Sequence, residues 1–369
     1  MRPCETPQEF VAEGVTRRDF VKICTAAAVY MGLTESFGPT IAEAVTGAAK
    51  RPPVIWLSAQ ECTGCTESLL RAGHPTLETL ILDLISLDYS ETLNTGSGHQ
   101  AEEFRAKSIE ENTGKFILVC EGAIPIKDGG IYCKVAGRTA LDILNETAPK
   151  AAAVVALGSC ATWGGVPAAE PNPTGATPIY KILEGTGIPV VNIPGCPPSP
   201  YNFLSTVLHY VTFKKLPELD DKLRPKFAYG RLIHENCERR PSFDAGRFAE
   251  QYGDEGHRNG YCLYKLGCKG PETYNNCSTL RYNDVGTWPV NIGHPCFGCS
   301  EEGVGFTAPL HSQSKVIGLT PSTQFPGAPP PKGKGTTALA AAVAGAAIGA
   351  GAVAVGSSMG KKDHKDKEG

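Results

Sequence analysis

A cysteine-rich stretch that lacks long apolar runs, residues 234–299, constrains the fold of this chain more than any other feature. It begins with a histidine and contains six cysteines within 66 residues that are otherwise rich in Gly, Asn, Tyr and charge. Because such a segment is short of the apolar side chains that build a core, the pattern predicts folding around a metal centre. The candidate ligands are His234, Cys237, Cys262, Cys268, Cys277, Cys296 and Cys299.

The chain of 369 residues is long enough for two domains with further segments at its ends. Its net charge of −3 and the lack of a concentrated basic segment argue against nucleic-acid binding. The unusual number is fourteen cysteines, which in an exported protein would first suggest disulfides. The compartment therefore bears directly on what these cysteines do.

The N-terminus has the pattern of an export signal. Residues 16–22 read Thr-Arg-Arg-Asp-Phe-Val-Lys and are followed by an apolar stretch at 23–32, which matches a twin-arginine signal. We assign residues 1–49 to this signal; the alternative is a soluble helix with an incidental arginine pair. Because the twin-arginine translocase moves folded proteins, clusters can be installed before export. Cys4 and Cys24 fall in the signal and leave twelve cysteines in the mature chain.

The C-terminus has the pattern of a membrane anchor. After a linker at 316–335, residues 336–356 carry no charge and are almost all Ala, Gly, Val, Leu and Ile, and this length suffices to cross a bilayer. The basic tail at 357–369 fits the cytoplasmic side. We therefore expect a protein on the periplasmic side of the inner membrane, held by this transmembrane helix. A flexible Ala/Gly tail is the alternative.

Residues 50–225 have the pattern of an open, flavodoxin-like parallel α/β sheet. Short apolar runs of the length of buried parallel strands alternate with helical patterns. The predicted strands are Val54–Leu57, Phe116–Val119, Ala152–Leu157 and Val190–Ile193. The predicted helices include Glu67–Ala72, Thr76–Leu87 and Thr139–Thr147.

Three loops of this sheet carry four thiols. Cys62 and Cys65 follow the first predicted strand, whereas Cys160 and Cys196 follow the third and fourth. Because such sheets bind ligands beyond the carboxyl ends of their strands, we expect the four to surround one centre, with Glu121 at the same edge. Four thiolates suit a 4Fe–4S cluster or zinc, and buried structural thiols or disulfides are the alternative.

The second domain, residues 226–315, supplies a set of four ligands and a set of three. The sets are His234, Cys237, Cys262 and Cys268, and Cys277, Cys296 and Cys299. Zinc could bind the first set but would require a fourth ligand in the second, whereas a 3Fe–4S cluster needs only three thiolates. Cys120 and Cys133 are left over and are interpreted as ordinary buried thiols.

Together these residues closely resemble the small subunit of nickel-iron hydrogenases, from the export signal to the anchor. The most specific phrases are AQECTGCTES at 59–68, PGCPP at 194–198, GCKGP at 267–271 and GHPC at 293–296. Residues 231–235 and 243–248 look most like the membrane-bound, hydrogenase-2-like uptake subgroup. Hydrogenase large subunits also contain two distant Cys-x2-Cys pairs, but an arginine close before the first and a histidine close after the second are missing here.

The resemblance implies three iron–sulfur clusters in a line and no catalytic residue in this chain. The proximal 4Fe–4S cluster would bind Cys62, Cys65, Cys160 and Cys196, the medial 3Fe–4S cluster Cys277, Cys296 and Cys299, and the distal 4Fe–4S cluster His234, Cys237, Cys262 and Cys268. Hydrogen would be split at the nickel-iron centre of a separate large subunit. Electrons would leave through this chain to a quinone-linked or iron–sulfur membrane partner.

Oxygen-tolerant members of this family carry two further proximal cysteines, at positions that match Gly64 and Gly165 here. The resemblance therefore implies an ordinary four-cysteine proximal cluster and oxygen sensitivity. Two other interpretations remain open from the residues alone. One is a zinc-stabilised exported binding protein, and the other is an electron-transfer subunit of another oxidoreductase with the same cluster-binding sheet.

Overall fold

The computed structural model describes residues 17–46, 51–73, 85–282 and 284–317. The chain divides into two units, Met1–Pro326 and Gly327–Gly369, and every described residue belongs to the first. The predicted anchor and its basic tail lie outside the described residues, as does most of the linker. In the part of the chain that the structure describes, no helix combines the length and apolar character needed to span a membrane.

Two helices precede the sheet and fall within the predicted signal. They are α1 (Arg17–Tyr30) and α2 (Gly38–Thr46), separated by a 3₁₀ turn at Glu35–Phe37. Their apolar residues form a small core that also contacts Leu208 of the body. The ring of Tyr30 packs edge-on against Phe227 at 5.5 Å, and its hydroxyl hydrogen-bonds with Asn202.

A five-stranded parallel sheet organises the first half of the described chain. Its strands are β1 (Pro53–Ser58), β2 (Ser86–Ser90), β3 (Ile117–Glu121), β4 (Ala153–Leu157) and β5 (Val190–Ile193). They lie in the order β2-β1-β3-β4-β5, and each neighbouring pair is parallel. This is the strand order of flavodoxin-like sheets. The predicted parallel α/β sheet is therefore confirmed.

The edge strand β2 differs from the sequence prediction. The helical pattern over Thr76–Leu87 predicts helix at Ser86 and Leu87, but both residues belong to β2. Residues 76–84 of that predicted helix lie outside the described part. The strand reads Ser-Leu-Asp-Tyr-Ser, and polar residues are tolerated because an edge strand is covered less completely than a central one.

Helices pack on both faces of the sheet. In chain order they are α3 (Gly64–Leu70), α4 (Gly98–Glu111), α5 (Ala140–Thr147), α6 (Gly158–Trp163), α7 (Ile179–Ile182) and α8 (Pro200–Phe213). One face forms a core that joins Trp56 of β1 to Phe203 of α8. The other joins Ile55 of β1 to Leu144 of α5. Adjacent residues of β1 therefore point to opposite cores, as expected of a doubly covered sheet.

The second half of the described chain is built mainly from loops and single helical turns. The turns are α9 (Lys226–Tyr229), α10 (Arg240–Asp244), α11 (Glu255–Arg258) and α12 (Cys277–Leu280), with 3₁₀ turns at Ile233–Asn236, Tyr264–Leu266 and Gly270–Glu272. Its core combines apolar residues such as Leu263 and Trp288 with Cys237, Cys268 and Cys296. The candidate ligands are thus part of the core itself.

A buried ion-pair network joins the two halves. Arg224, 3% exposed, pairs with Asp220 at 2.8 Å and with Glu301 at 2.9 Å. Glu301 also pairs with Lys222 and accepts a hydrogen bond from the Tyr274 N–H at 3.2 Å. Because Glu301 follows the last predicted ligand by two residues, the network fixes that loop against the sheet half.

Candidate metal centres

The carboxyl ends of four strands lie in register at one edge of the sheet. Ser58 pairs with Glu121, Glu121 with Leu157, and Leu157 with Ile193. The loops that carry Cys62 and Cys65, Cys160 and Cys196 all begin beyond this line. The structure therefore brings the three predicted loops to the same edge.

The four thiols of the proximal set are electrostatic neighbours. Burial raises the pKa of Cys65 well above its ordinary value, and the negative charges of Glu121, Cys160, Cys196 and Cys62 raise it further. Cys62 and Cys196 are exposed, whereas the other two are half-buried. Because four thiolates repel one another in a partly buried site, a bound metal centre would supply the compensating positive charge.

Glycines let the backbone approach these sulfurs closely. A Cβ at Gly158, where φ is +87°, would lie 2.3 Å from Sγ of Cys65. A Cβ at Gly165, where φ is +53°, would lie 2.7 Å from Sγ of Cys160. A side chain at either position would displace a candidate ligand, so the glycines shape the cradle that the sequence predicts around a bulky group.

Glu121 anchors the backbone of the first cysteine loop. It is 2% exposed and accepts hydrogen bonds from the N–H groups of Cys65 (2.9 Å) and Thr66 (3.3 Å). The Thr66 hydroxyl and the Trp56 indole N–H donate to its second oxygen at 2.6 and 3.2 Å. Its position at this edge is as the sequence predicts, but these four contacts are visible only in the structure.

The distal set lines a small buried cavity. Its members are His234, Cys237, Cys262 and Cys268, each at most 8% exposed. Nε2 of His234 is buried and has no hydrogen-bond partner among the described residues. Burial, followed by the charge of Arg240, lowers the pKa of His234 to about 4, so the imidazole is neutral near neutral pH. A neutral, otherwise unpaired imidazole nitrogen fits a metal ligand.

Backbone amides point at the sulfurs of the distal set. Burial raises the pKa of each of its three thiols, and an N–H group two residues further along the chain opposes that effect. The donors are Arg239 for Cys237, Tyr264 for Cys262 and Gly270 for Cys268. Hydrogen bonds to sulfur stabilise the thiolate and tune the potential of an iron–sulfur cluster, so this arrangement fits such a group.

The medial set lies beside both of the others. Burial, followed by the charge of Cys299, raises the pKa of Cys277 to about 12. Burial raises the pKa of Cys296 well above its ordinary value, and the charges of Cys268 in the distal set, Cys299 and Cys277 also raise it. Burial, followed by the charge of Cys299, raises the pKa of Cys196 in the proximal set. The three predicted sets therefore adjoin in a row, with the medial set in the middle.

Charges of opposite sign lie near the two outer sets. Glu121 and Glu61 raise the pKa of Cys160, after the effect of burial. Arg239 and Lys269 lower the pKa of Cys268, although burial raises it.

Within the described residues, no group of three or more His, Cys, Asp or Glu side chains is placed to hold a single metal ion.

The two leftover cysteines lie outside these sets. Cys120 is buried in the sheet core, where burial raises its pKa to about 12. Cys133 packs against the same core and is half-buried. This agrees with the interpretation of Cys120 as a buried thiol, whereas Cys133 is less deeply placed than predicted.

Two protein families match the chain. Residues 62–210 match the family described as NADH ubiquinone oxidoreductase, 20 Kd subunit, and residues 229–311 match the C-terminal family of the NiFe/NiFeSe hydrogenase small subunit. The sheet half and the cysteine-rich half thus each match a redox family. Together the fold and the matches define an iron–sulfur oxidoreductase subunit.

Individual relatives narrow this class. The Hydrogenase-2 small chain of Escherichia coli (strain K12) is 57% identical over 328 residues, which cover 89% of this chain and 87% of the relative. The periplasmic [NiFe] hydrogenase small subunit 1 of Nitratidesulfovibrio vulgaris is 49% identical over 294 residues, or 80% and 92% of the two chains. The structure of the Ni-Fe-Se hydrogenase from Desulfomicrobium baculatum matches with a TM-score of 0.67 and 37% identity, and covers 72% of this chain and 100% of that one. This chain belongs to the small subunits of nickel-iron hydrogenases.

Replacing His234 by cysteine tests the distal assignment. We expect the variant to keep its iron and the distal reduction potential to fall by on the order of 100 mV, because a thiolate adds negative charge where the imidazole is neutral. Redox titration followed by electron paramagnetic resonance (EPR) measures the shift. His257→Cys is the control, since His257 lies in the same half and contacts the Gly293 carbonyl instead. An unchanged distal potential in His234→Cys would contradict the assignment.

Proposed function

We propose that this chain is the electron-transferring subunit of a membrane-bound nickel-iron hydrogenase, carrying electrons from hydrogen oxidation in the large subunit through three iron–sulfur clusters. The observation that carries the proposal is the row of three ligand sets, with Cys196 beside Cys299 and Cys296 beside Cys268. The 57% identity to a hydrogenase-2 small chain supports the large subunit as the partner.

In this proposal the ligands divide into the three sets that the sequence predicts. When bound, the clusters would supply one-electron carriers: a 4Fe–4S cluster in the proximal set, a 3Fe–4S cluster in the medial set and a 4Fe–4S cluster in the distal set. The chain's own residues hold and separate these groups and exclude water from them. The burial of Cys237, Cys262, Cys268 and Cys296 supports this role, because it excludes water from the distal and medial sites.

The exposed face of the proximal set is the docking face for the large subunit in this proposal. Cys62 and Cys196 are exposed in the isolated chain, although burial is what protects the other sites. A second protein covering this edge would exclude water from it and place its nickel-iron centre next to the proximal cluster. With Gly64 and Gly165 in place of further cysteines, we also propose oxygen sensitivity.

We further propose export by the twin-arginine translocase and anchoring on the periplasmic side of the inner membrane. Arg17 and Arg18 at the start of α1, and the uncharged stretch at 336–356, support this placement. Electrons would then pass to a quinone-linked or iron–sulfur partner in the membrane. The proposal rests here on the sequence pattern.

Metal analysis of the detergent-extracted membrane complex tests the proposed function. We expect about eleven cluster irons per chain, in addition to the iron of the nickel-iron centre, with a similar amount of acid-labile sulfide, by the usual cluster stoichiometries. We also expect a nickel-containing large subunit to copurify. Zinc without sulfide would support a zinc-stabilised binding protein instead, and iron–sulfur clusters with a nickel-free partner would indicate another oxidoreductase.

A further inference from the structure

A buried hydroxyl ties the proximal and medial loops together. Ser159 is 1% exposed and directly precedes Cys160 on α6. Its Oγ donates a hydrogen bond to the carbonyl oxygen of Cys299 and accepts one from the Gly195 N–H at 3.0 Å. Its own N–H donates to the Gly195 carbonyl at 2.8 Å. This one residue therefore contacts the backbone beside proximal ligands and the backbone of a medial ligand.

These hydrogen bonds surround the place where the two sets meet. The backbone N–H of Cys196 hydrogen-bonds to the thiol of Cys299 and lowers its pKa, against the larger effect of burial. On one side, the Ser159 hydroxyl accepts a hydrogen bond from the N–H of Gly195, which directly precedes Cys196. On the other side it is bound to the carbonyl of Cys299. Both partners of the amide–sulfur contact are thus fixed through the same oxygen.

An amide–sulfur contact also joins the medial and distal sets, but there a backbone group rather than a side chain supports it. The N–H of Cys296 hydrogen-bonds to Sγ of Cys268 at 3.3 Å. Next to it, the N–H of Lys269 donates to the Cys296 carbonyl at 2.8 Å. Here backbone groups provide both contacts. At the proximal–medial gap, by contrast, a side-chain hydroxyl takes part, so a substitution can loosen that gap selectively.

We propose that Ser159 is a positioning residue for electron transfer between the proximal and medial sets, because its hydroxyl joins the backbone of Gly195, next to Cys196, to the backbone of Cys299. The inference rests on the proposed function. The step moves one electron from one cluster to the next; it makes and breaks no bond at Ser159, whose proton stays on its oxygen. Since electron tunnelling weakens steeply with separation, a loosened contact slows this step while leaving hydrogen splitting in the large subunit intact.

The test compares three variants of the whole membrane complex. Ser159→Ala removes the hydroxyl, and Ser159→Thr retains it. Ser300→Ala is the matched control: Ser300 is also 1% exposed and one residue from a medial cysteine, but its hydroxyl donates to the Tyr274 carbonyl within the second half. Iron and sulfide content are measured first. The readout is acceptor reduction relative to hydrogen–deuterium exchange at the nickel site, a ratio that a general loss of folded protein would leave unchanged.

We expect Ser159→Ala to keep all its iron and to reduce acceptor more slowly relative to isotope exchange by roughly two- to tenfold, because loss of one buried hydrogen bond lets the contact open by a factor of that order. Ser159→Thr and Ser300→Ala should match the unsubstituted complex. An unchanged ratio in Ser159→Ala would overturn the inference. So would loss of proximal iron, because Ser159 would then serve binding rather than transfer. Absence of iron from the unsubstituted complex would instead overturn the proposed function, and with it the basis of this inference.

Discussion

Replacing Gly158 by alanine is expected to remove the proximal iron, so that the clusters of this chain hold about seven irons in place of about eleven. The reason is steric: the added Cβ would lie 2.3 Å from Sγ of Cys65, and a helix start at this point leaves the backbone little freedom to move away. Electron delivery to the acceptor should stop, because the first carrier is missing. Iron analysis and EPR spectra of the purified complex measure both effects.

Gly114→Ala is the matched control for backbone strain. Gly114 has φ +75°, similar to the +87° of Gly158, but a Cβ there meets no atom within 4 Å among the described residues. Both variants carry the cost of placing alanine at positive φ, roughly 1–2 kcal/mol. Only Gly158→Ala should lose iron. If the two variants hold equal iron, Gly158 does not shape the proximal site.

Replacing Arg224 by methionine is expected to destabilise the junction of the two halves by about 3–5 kcal/mol. The substitution leaves the buried Glu301 and the half-buried Asp220 without their shared cation, and Lys222 compensates only Glu301. Hydrogen exchange of the Tyr274 amide measures the effect, because this amide donates to Glu301 and becomes free when the junction opens.

The control for Arg224→Met is Lys107→Met. Lys107 pairs with Glu111 at 3.8 Å on the exposed side of α4, with both side chains more than 60% exposed. Such pairs contribute little, so the change should stay below about 0.5 kcal/mol. Equal protection of the Tyr274 amide in the two variants would show that the buried network does not hold the halves together.

The sheet was predictable where the sequence pattern is strong. The runs at β1, β3, β4 and β5 are short and apolar because central parallel strands are covered on both faces. The edge strand β2 and the helix α4 (Gly98–Glu111) lack that pattern. In α4 the buried residues are Arg105, Ser108 and Ile109, so its pattern of apolar residues is too weak to predict a helix.

The candidate ligands were predictable because chemistry restricts them to a few residue types and because parallel strands end at a common edge. The residues that support them were not. Ser159 reaches Cys299 across 140 positions of sequence, and Arg224 reaches Glu301 across 77. The neighbouring sequence does not indicate such contacts, either for a serine that precedes a cysteine or for an arginine in a loop. Each contact depends on how the two halves of the chain pack against each other.

Under the proposed function, the uneven exposure of the cysteines predicts an order of assembly. Cys62 and Cys196 remain accessible from outside, whereas Cys237, Cys262, Cys268 and Cys296 are enclosed by the half of the chain they help to build. Iron for the enclosed sites has to arrive while that half is still folding. Iron for the open edge can arrive later, until docking of the large subunit seals it. The proximal site is therefore the last of the three sites that can receive its iron.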